Sequence, residues 1–431
     1  MAKTKEKLND GYGLTRLMYM VEALFEYFIS ILTTGVYLAK LTSTIGISDS
    51  MTAILSAITS LSGVFQIISI YLAHKTPVKR WVVPMQLITS LMFASLYMIP
   101  LFGLKKNVSL VFFIIIVTAN ALKMIASPIK TNWFLPLVPS HERGMYRSKL
   151  TIMSVVGGTL FTLFASAVID YFEKNGSENS VFIALTVMIL ILVIGHVMPM
   201  VVSKEKYEVR DKHESPLKSV STLFKNKNYR RIVIVFTLYS IAVGITGPFL
   251  GTYQLNELGF SLSFIAGVDV FINIIWIALL AFFGTYSFKH THKHIMSIGY
   301  VTSAIAYFFV IISTPVTGMI TFTIYRAITT IYSATNSVSH TNMIFEATPP
   351  EDRTSGVAIA TICSGVCSFL ATLAATPFVD YIQANGLVIF GMQVYAQQAL
   401  ATVSMFIKLI VAVLLMTMGK AKDDELSYAD C

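Results

Sequence analysis

Five ionisable side chains stand where apolar sequence should exclude them. Glu22 and Glu26 lie four apart in the run Leu17–Leu38, a spacing that puts both on one helix face. Lys123 and Lys130 lie seven apart in the run 108–136, again on one face, and Arg326 lies in the run 317–346. A charge at membrane depth is costly unless it is paired or hydrated, so each of these is a candidate functional group. Two acids and three bases can do two kinds of chemistry. The acids can pair with the lysines and release them on taking up a proton. A surplus base, Arg326 or Lys123, can then hold an anionic or hydroxyl-rich solute, and a guanidinium offers a planar fork for carboxylate or phosphate. The competing reading is a set of structural ion pairs. Glu22 lies near the start of its run with Arg16 six residues before it, so Glu26 is the better coupling candidate. Asp269 is an alternative acid. Asn120, Trp133, Tyr325, Asn336 and His340 add polar and aromatic groups suited to substrate contact, while Lys408 and His196 are expected to snorkel from near helix ends.

The elements that position these groups are membrane spans. The 431 residues are 55% hydrophobic and only 13% charged, with mean hydropathy +0.69. A soluble domain carries about 25% charged residues, which excludes water-soluble classes. A spanning helix needs about 20 mostly apolar residues. Twelve runs qualify: 15–39, 50–73, 81–103, 108–136, 146–172, 180–202, 230–256, 261–287, 294–314, 317–346, 354–382 and 388–418. The polar start with Lys3, Lys5 and Lys7 is followed by a run long enough to span, which reads as a retained first span.

Lysine and arginine set the orientation. With the N-terminus inside, 24 fall on inner stretches and 4 on outer loops. Both termini are therefore expected in the cytoplasm, and the protein in a plasma membrane, the inner membrane of a bacterium. The net charge of +9 is a topology signal and does not point to nucleic acid. Residues 1–202 form a first six-helix half, 203–229 a cytoplasmic loop, 230–418 a second half and 419–431 a cytoplasmic tail. Leu217–Phe224 is either a short amphipathic surface helix or part of a solvated linker.

The halves are copies. Residues 131–176 and 341–386 align without a gap, 210 positions apart, with 16 identities in 46 positions. They include Pro139/Pro349, Arg143/Arg353, Asp170/Asp380 and Asn175/Asn385. Each proline should stop a helix. Each arginine can bond the carbonyls of the preceding helix end, and Glu142 and Asp352 stand at the start of the next helix. These four are gate candidates, with a capping turn as the plainer reading. Ser154/Gly158 and Ser364/Ser368 are small-residue pairs that let helices approach closely. The lining charges are not shared: Lys123 aligns with Ser333, Lys130 with His340 and Arg326 with Ile116.

Twelve spans in two six-span halves, a cytoplasmic central loop and inside termini resemble the major facilitator superfamily over almost the whole chain. Asn132–Tyr146 is similar to the turn after span 4 in many bacterial members, with a copy at Asn342–Thr354. The family's loop 2–3 signature is degenerate here: Ile70–Lys79 keeps only its basic character, and Gly284–Lys293 keeps Gly284 and Lys289. Span 5 carries Gly157-Gly158 without the proline of the antiporter motif. The resemblance implies an all-α membrane fold of twelve helices in which spans 1, 4, 7 and 10 line a central cavity. It also implies a secondary transporter moving a small polar or anionic organic solute by alternating access, proton-coupled. The other readings are export of amphipathic compounds, a sodium-coupled sugar symporter and a non-transporting sensor. Such sugar symporters carry acids in span 2, where this chain has only Gln66.

No enzyme is expected. The chain has no Gly-x-x-x-x-Gly-Lys phosphate loop and no His-Glu-x-x-His motif. Its three cysteines lack metal-ligand spacing, and no cofactor or metal is expected. The expected partners are the solute, protons with sodium as the alternative, and the lipid bilayer; the protein itself is read as a monomer. Asn107 and Asn175 begin outer-loop sequons.

Overall fold

The structure is a computed structural model and describes residues 11–66, 68–69, 78–103, 107–139, 142–176, 178–205, 222–349, 352–389 and 391–418. The signature segment at 70–77, most of the central loop and the tail from 419 lie outside the described residues. Helices dominate, because a backbone in lipid must satisfy its polar groups within its own segment. Among the described residues nine helices are long and apolar enough to cross a membrane, and a bent pair makes a tenth. Gly318–Glu346 is 29 residues long but too polar to join them, in keeping with its many Thr, Ser and Asn residues.

Spans 5 and 11 show the duplication in three dimensions. They are Arg143–Asn175 and Arg353–Asn385, both 33 residues, with bounds that coincide after a shift of 210. Their entry turns match: Glu142 N donates to Pro139 O at 2.9 Å and Asp352 N to Pro349 O at 3.0 Å. Their far ends match as well. Asn175 Nδ2 donates to Tyr171 O at 3.0 Å and Asn385 Nδ2 to Tyr381 O at 2.9 Å.

The chain forms two compact units, residues 1–212 with 248–273 and residues 213–247 with 274–431. In the first unit span 1 breaks into Gly13–Thr33 and Gly35–Thr44, bent by 43°. Thr34 is extended and Gly35 takes φ +57, a left-handed conformation that glycine adopts without a side-chain clash. Thr33 and Thr34 hydroxyls donate to Ile29 O and Ser30 O and help end the first segment. The expectation of one continuous helix over 15–39 is corrected here. Glycine also sets the packing: a Cβ on Gly158 of span 5 would lie 2.2 Å from the Tyr27 ring of span 1, and one on Gly195 of span 6 2.3 Å from Phe25. Residues 248–273 join this unit through specific contacts. Gly251 packs on Gly35 and Ala39, and Asn256 bonds Asp49 at 2.8 Å and Ser43 at 3.0 Å. Asn273 donates to Thr159 at 2.8 Å, and Ser263 bonds the Asp170 carboxylate. Asp170 therefore has a specific partner beyond its expected place at a helix end.

In the second unit the same duplicated position makes the matching contact with the glycine on the other helix. Ser368 of span 11, the copy of Gly158, meets Gly244 of span 7, where a Cβ would lie 2.2 Å from Ser368 O. Thr372 Oγ1 donates to Gly244 O at 2.8 Å across this crossing. Span 7 is α-helical over Lys227–Thr246, then tightens at Gly247–Phe249 around Pro248 and ends in a π-turn at Tyr253–Glu257. The last span begins at Ala396 rather than 388. Val388–Ile389 and Met392–Gln393 instead pair as a short antiparallel ribbon, turned by Gly391 at φ +77. A short apolar run does not distinguish strand from helix by hydropathy.

Gly244→Ala is expected to destabilise the protein by about 1–3 kcal/mol, because its Cβ meets backbone that cannot move alone. Gly267→Ala, whose Cβ would meet nothing within 4 Å, should be neutral or stabilising. Thermal unfolding in detergent reads both; equal effects would refute the close approach of spans 7 and 11.

Candidate functional site

The first unit brings four of the five sequence-predicted charges together. Glu22 and Glu26 project from one face of span 1 and meet span 4, Val108–Phe134, at its Lys123 and Lys130. Lys130 Nζ donates to Glu22 Oε1 at 2.8 Å and also to Glu26 Oε2. Lys123 Nζ lies 3.7 Å from Glu26 Oε1. The pairs differ in access. The Glu22 side chain is 0% exposed and that of Lys130 6%, whereas Glu26 and Lys123 are 22% and 21% exposed. A sealed inner pair thus adjoins a half-open outer one, with Lys130 linking them.

Span 6 supplies a residue that sequence reasoning misplaced. His196 is buried rather than snorkelling, with Nδ1 3.2 Å from Glu22 Oε1. The neighbouring Gly195 explains this position, since it admits the Phe25 ring of span 1 and draws the two helices together. A histidine beside a glycine inside an apolar run was the signal available. Glu22 Oε2 is buried without a hydrogen-bond partner among the described residues. With His196 neutral, two carboxylates face two ammonium groups and the cluster is balanced. Adding one proton to a carboxylate leaves an ammonium without its full complement of negative charge.

The remaining candidates are placed as follows. Asn120 is buried and donates to Ile116 O of its own helix at 2.9 Å. Trp133 is buried, stacks on Phe134 at 4.4 Å and donates to Lys204 O at 3.1 Å. Gln66 donates weakly to Met124 Sδ at 3.8 Å. Asp269 is half-buried in the first unit. Arg326, Tyr325, Asn336 and His340 belong to the second unit: Tyr325 packs on Phe322 and Tyr307, and His340 stacks on Phe236 at 4.3 Å. Of the gate candidates, Arg143 Nε donates to Val138 O at 3.2 Å, the expected helix-end contact. Arg353 instead lies over the Phe345 ring at 5.4 Å. At that end of the first unit Arg16 also binds, through Nε to Leu137 O at 2.6 Å, and its own carbonyl accepts from Tyr146.

A separate cavity of about 530 Å³ in the first unit is walled by Tyr37, Lys40, Tyr97, Glu173 and Phe182, among others, and shares no residue with the charged cluster. Its Lys40 and Glu173 pair at 2.7 Å. That pair is about one-third exposed, whereas the Lys130–Glu22 pair of the cluster is buried.

Lys130→Met should be strongly destabilising, by about 3–5 kcal/mol, because it leaves the buried Glu22 carboxylate without its ammonium. Adding Glu22→Gln and Glu26→Gln to it should recover much of that loss. Unfolding midpoints of the single and triple variants test this. A triple variant no more stable than the single would show that the cluster is not held by its charges.

Residues 18–372 match the family model described as Major Facilitator Superfamily. None of the curated proteins matches the chain. Several solved structures share its fold. The crystal structure of the nucleoside transporter NupG is 15% identical, covers 95% of this chain and 100% of its own, and has a TM-score of 0.70. An auto-inhibited POT family peptide transporter is 12% identical over 96% and 99%, with a TM-score of 0.68. A D-xylose-proton symporter is 13% identical over 95% and 98%, with a TM-score of 0.67.

Proposed function

The chain belongs to the Major Facilitator Superfamily, and from that premise we propose that it is a proton-coupled secondary transporter of a small polar or anionic organic solute. One observation carries the coupling: two carboxylates of unequal burial share the single ammonium of Lys130. A proton taken up by Glu26, the half-open acid, removes one of the two charges that hold Lys130 and the carboxylate paired with Lys123. The freed Lys123 then becomes a site for an anionic group on the solute. Solute and proton in this way favour the same rearrangement of spans 1 and 4, and a ligand shifts a conformational equilibrium only through such differential binding.

The duplication into two halves suits an alternating-access transporter. The distribution of lysine and arginine supports cytoplasmic termini and Pro139 and Pro349 turns on the cytoplasmic side. The Asn132–Tyr146 turn supports a place among the family's bacterial members. Among the structural relatives, the D-xylose-proton symporter carries a proton in its name.

The test begins with a thermal-shift screen of purified protein against metabolite classes, followed by proteoliposomes. Glu26→Gln should abolish uptake driven by a pH gradient while sparing counterflow of labelled solute. Unchanged gradient-driven uptake would exclude Glu26 from coupling. Lys123→Ala should weaken anionic solutes at least tenfold, and full retention would refute the anion reading.

A further inference from the structure

Lys408 sits at the middle of the last span, Ala396–Thr417, and is 1% exposed. The expectation that it snorkels to a helix end is corrected by this burial. It makes no ion pair among the described residues. In place of a carboxylate it has hydroxyls and ring faces. Lys408 Nζ donates to Ser303 Oγ at 3.0 Å. It lies 3.3 Å from the centroid of the Tyr307 ring and 5.1 Å from that of Tyr239. Tyr239 Oη and Ser303 Oγ are 2.7 Å apart, so amine, serine and tyrosine form one continuous chain of exchangeable hydrogens. Tyr239 in turn stacks on Tyr300 at 4.4 Å and meets Tyr332 of span 10 at 4.6 Å.

The contrast with Lys130 is physical. Lys130 is buried against two carboxylates, whereas Lys408 is buried against none among the described residues. A desolvated cation–π contact offsets only part of the cost of burying an ion without a counter-charge. Among the described residues the surrounding spans bring no carboxylate into an ion pair with Lys408. Span 7 presents Tyr239, and its arginines, Arg230 and Arg231, are at its start. Span 9 presents Tyr300, Ser303 and Tyr307, with His292, Lys293 and His294 at its start. Span 11 carries Arg353 at its start and Asp380 near its far end, and between them Cys363 and Cys367. Span 10 contributes Tyr325, Arg326, Tyr332 and His340.

We propose that Lys408 is a proton-exchange site of the second unit, with Ser303, Tyr239 and Tyr332 as its relay. On release an N–H bond of Lys408 breaks and an O–H bond forms at Ser303 Oγ. The former Ser303 hydrogen passes to Tyr239 Oη, the former Tyr239 hydrogen passes to the neighbouring, partly exposed Tyr332, and the former Tyr332 hydrogen passes to water. All three hydroxyls end neutral, the amine is neutral, and one hydronium carries the charge away. Uptake is the reverse. The second unit thereby has its own protonation site, distinct from the Glu22, Glu26, Lys130 cluster. The inference extends the proton-coupled reading, but its readout needs no solute, so the two can fail separately.

The experiment is nitrogen NMR of protein labelled with heavy-isotope lysine, in lipid nanodiscs, titrated from mildly acidic to alkaline pH. The Lys408 signal is assigned by its loss in Lys408→Met, or in Lys408→Arg should the first variant fail to fold. The expected result is a signal that moves between the ammonium and amine positions, while that of Lys130 stays ammonium. A Lys408 signal fixed in either state across the titration would overturn the proposal. Ser303→Ala should slow the exchange at least tenfold without changing the end states; an unchanged rate would remove Ser303 from the relay.

Discussion

The ammonium of Lys130 between the carboxylates of Glu22 and Glu26 is the contact on which the first unit depends. Three charges are held at membrane depth, and none is tolerable there without the others. Their geometry in turn imposes requirements on the backbone. Span 1 must present two residues of one face to span 4, and span 6 must come close enough for His196 to reach Glu22. The glycines at 157, 158 and 195 meet those requirements by letting Leu24, Tyr27 and Phe25 of span 1 pack where a Cβ would stand. Packing and electrostatics are thus two sides of one arrangement. The same closeness that buries the charges makes their pairing compulsory.

The second unit repeats one close crossing and fills its centre differently. Gly244 against Ser368 repeats the crossing made by Gly158 with Tyr27, at the duplicated position of the fifth helix of each half. Yet among the described residues its centre holds stacked tyrosines beside the buried Lys408, where the first unit has Lys130 bridging two acids. The alignment of the halves shows where this divergence arose: Lys130 corresponds to His340, which stacks on Phe236 instead of bridging carboxylates. Duplication supplied two similar frameworks, and the difference at positions 130 and 340 gave them different contacts.

Much of this was legible in the sequence, and the part that was not has a physical explanation. The spans are readable because lipid imposes hydropathy on long runs, and the 22/26 and 123/130 faces follow from helical periodicity alone. The small-residue pairs at 158 and 368 likewise announce close crossings. The break at Thr34 was hidden, because two threonines and a glycine are compatible with either a helix or a bend until the backbone is seen. The ribbon at 388–393 was hidden because an apolar run of that length carries no period. His196 and Lys408 read as helix-end groups in the sequence, because burial of a polar side chain depends on what other helices offer it, which one sequence does not contain. The grouping of residues 248–273 with the first unit rests on contacts of Asn256, Asn273 and Ser263 with distant residues, and no local signal encodes those.

Whether the shared lysine is a proton-operated link or a fixed ion pair is decided by the ionisation of Glu26. Infrared difference spectroscopy of the protein in lipid, recorded on acidification, observes it directly. A proton-operated link predicts a protonated-carboxyl band that appears at acidic pH in the native protein and is missing from Glu26→Gln. A native protein whose carboxylates remain ionised throughout, or a band that persists unchanged in Glu26→Gln, would contradict it.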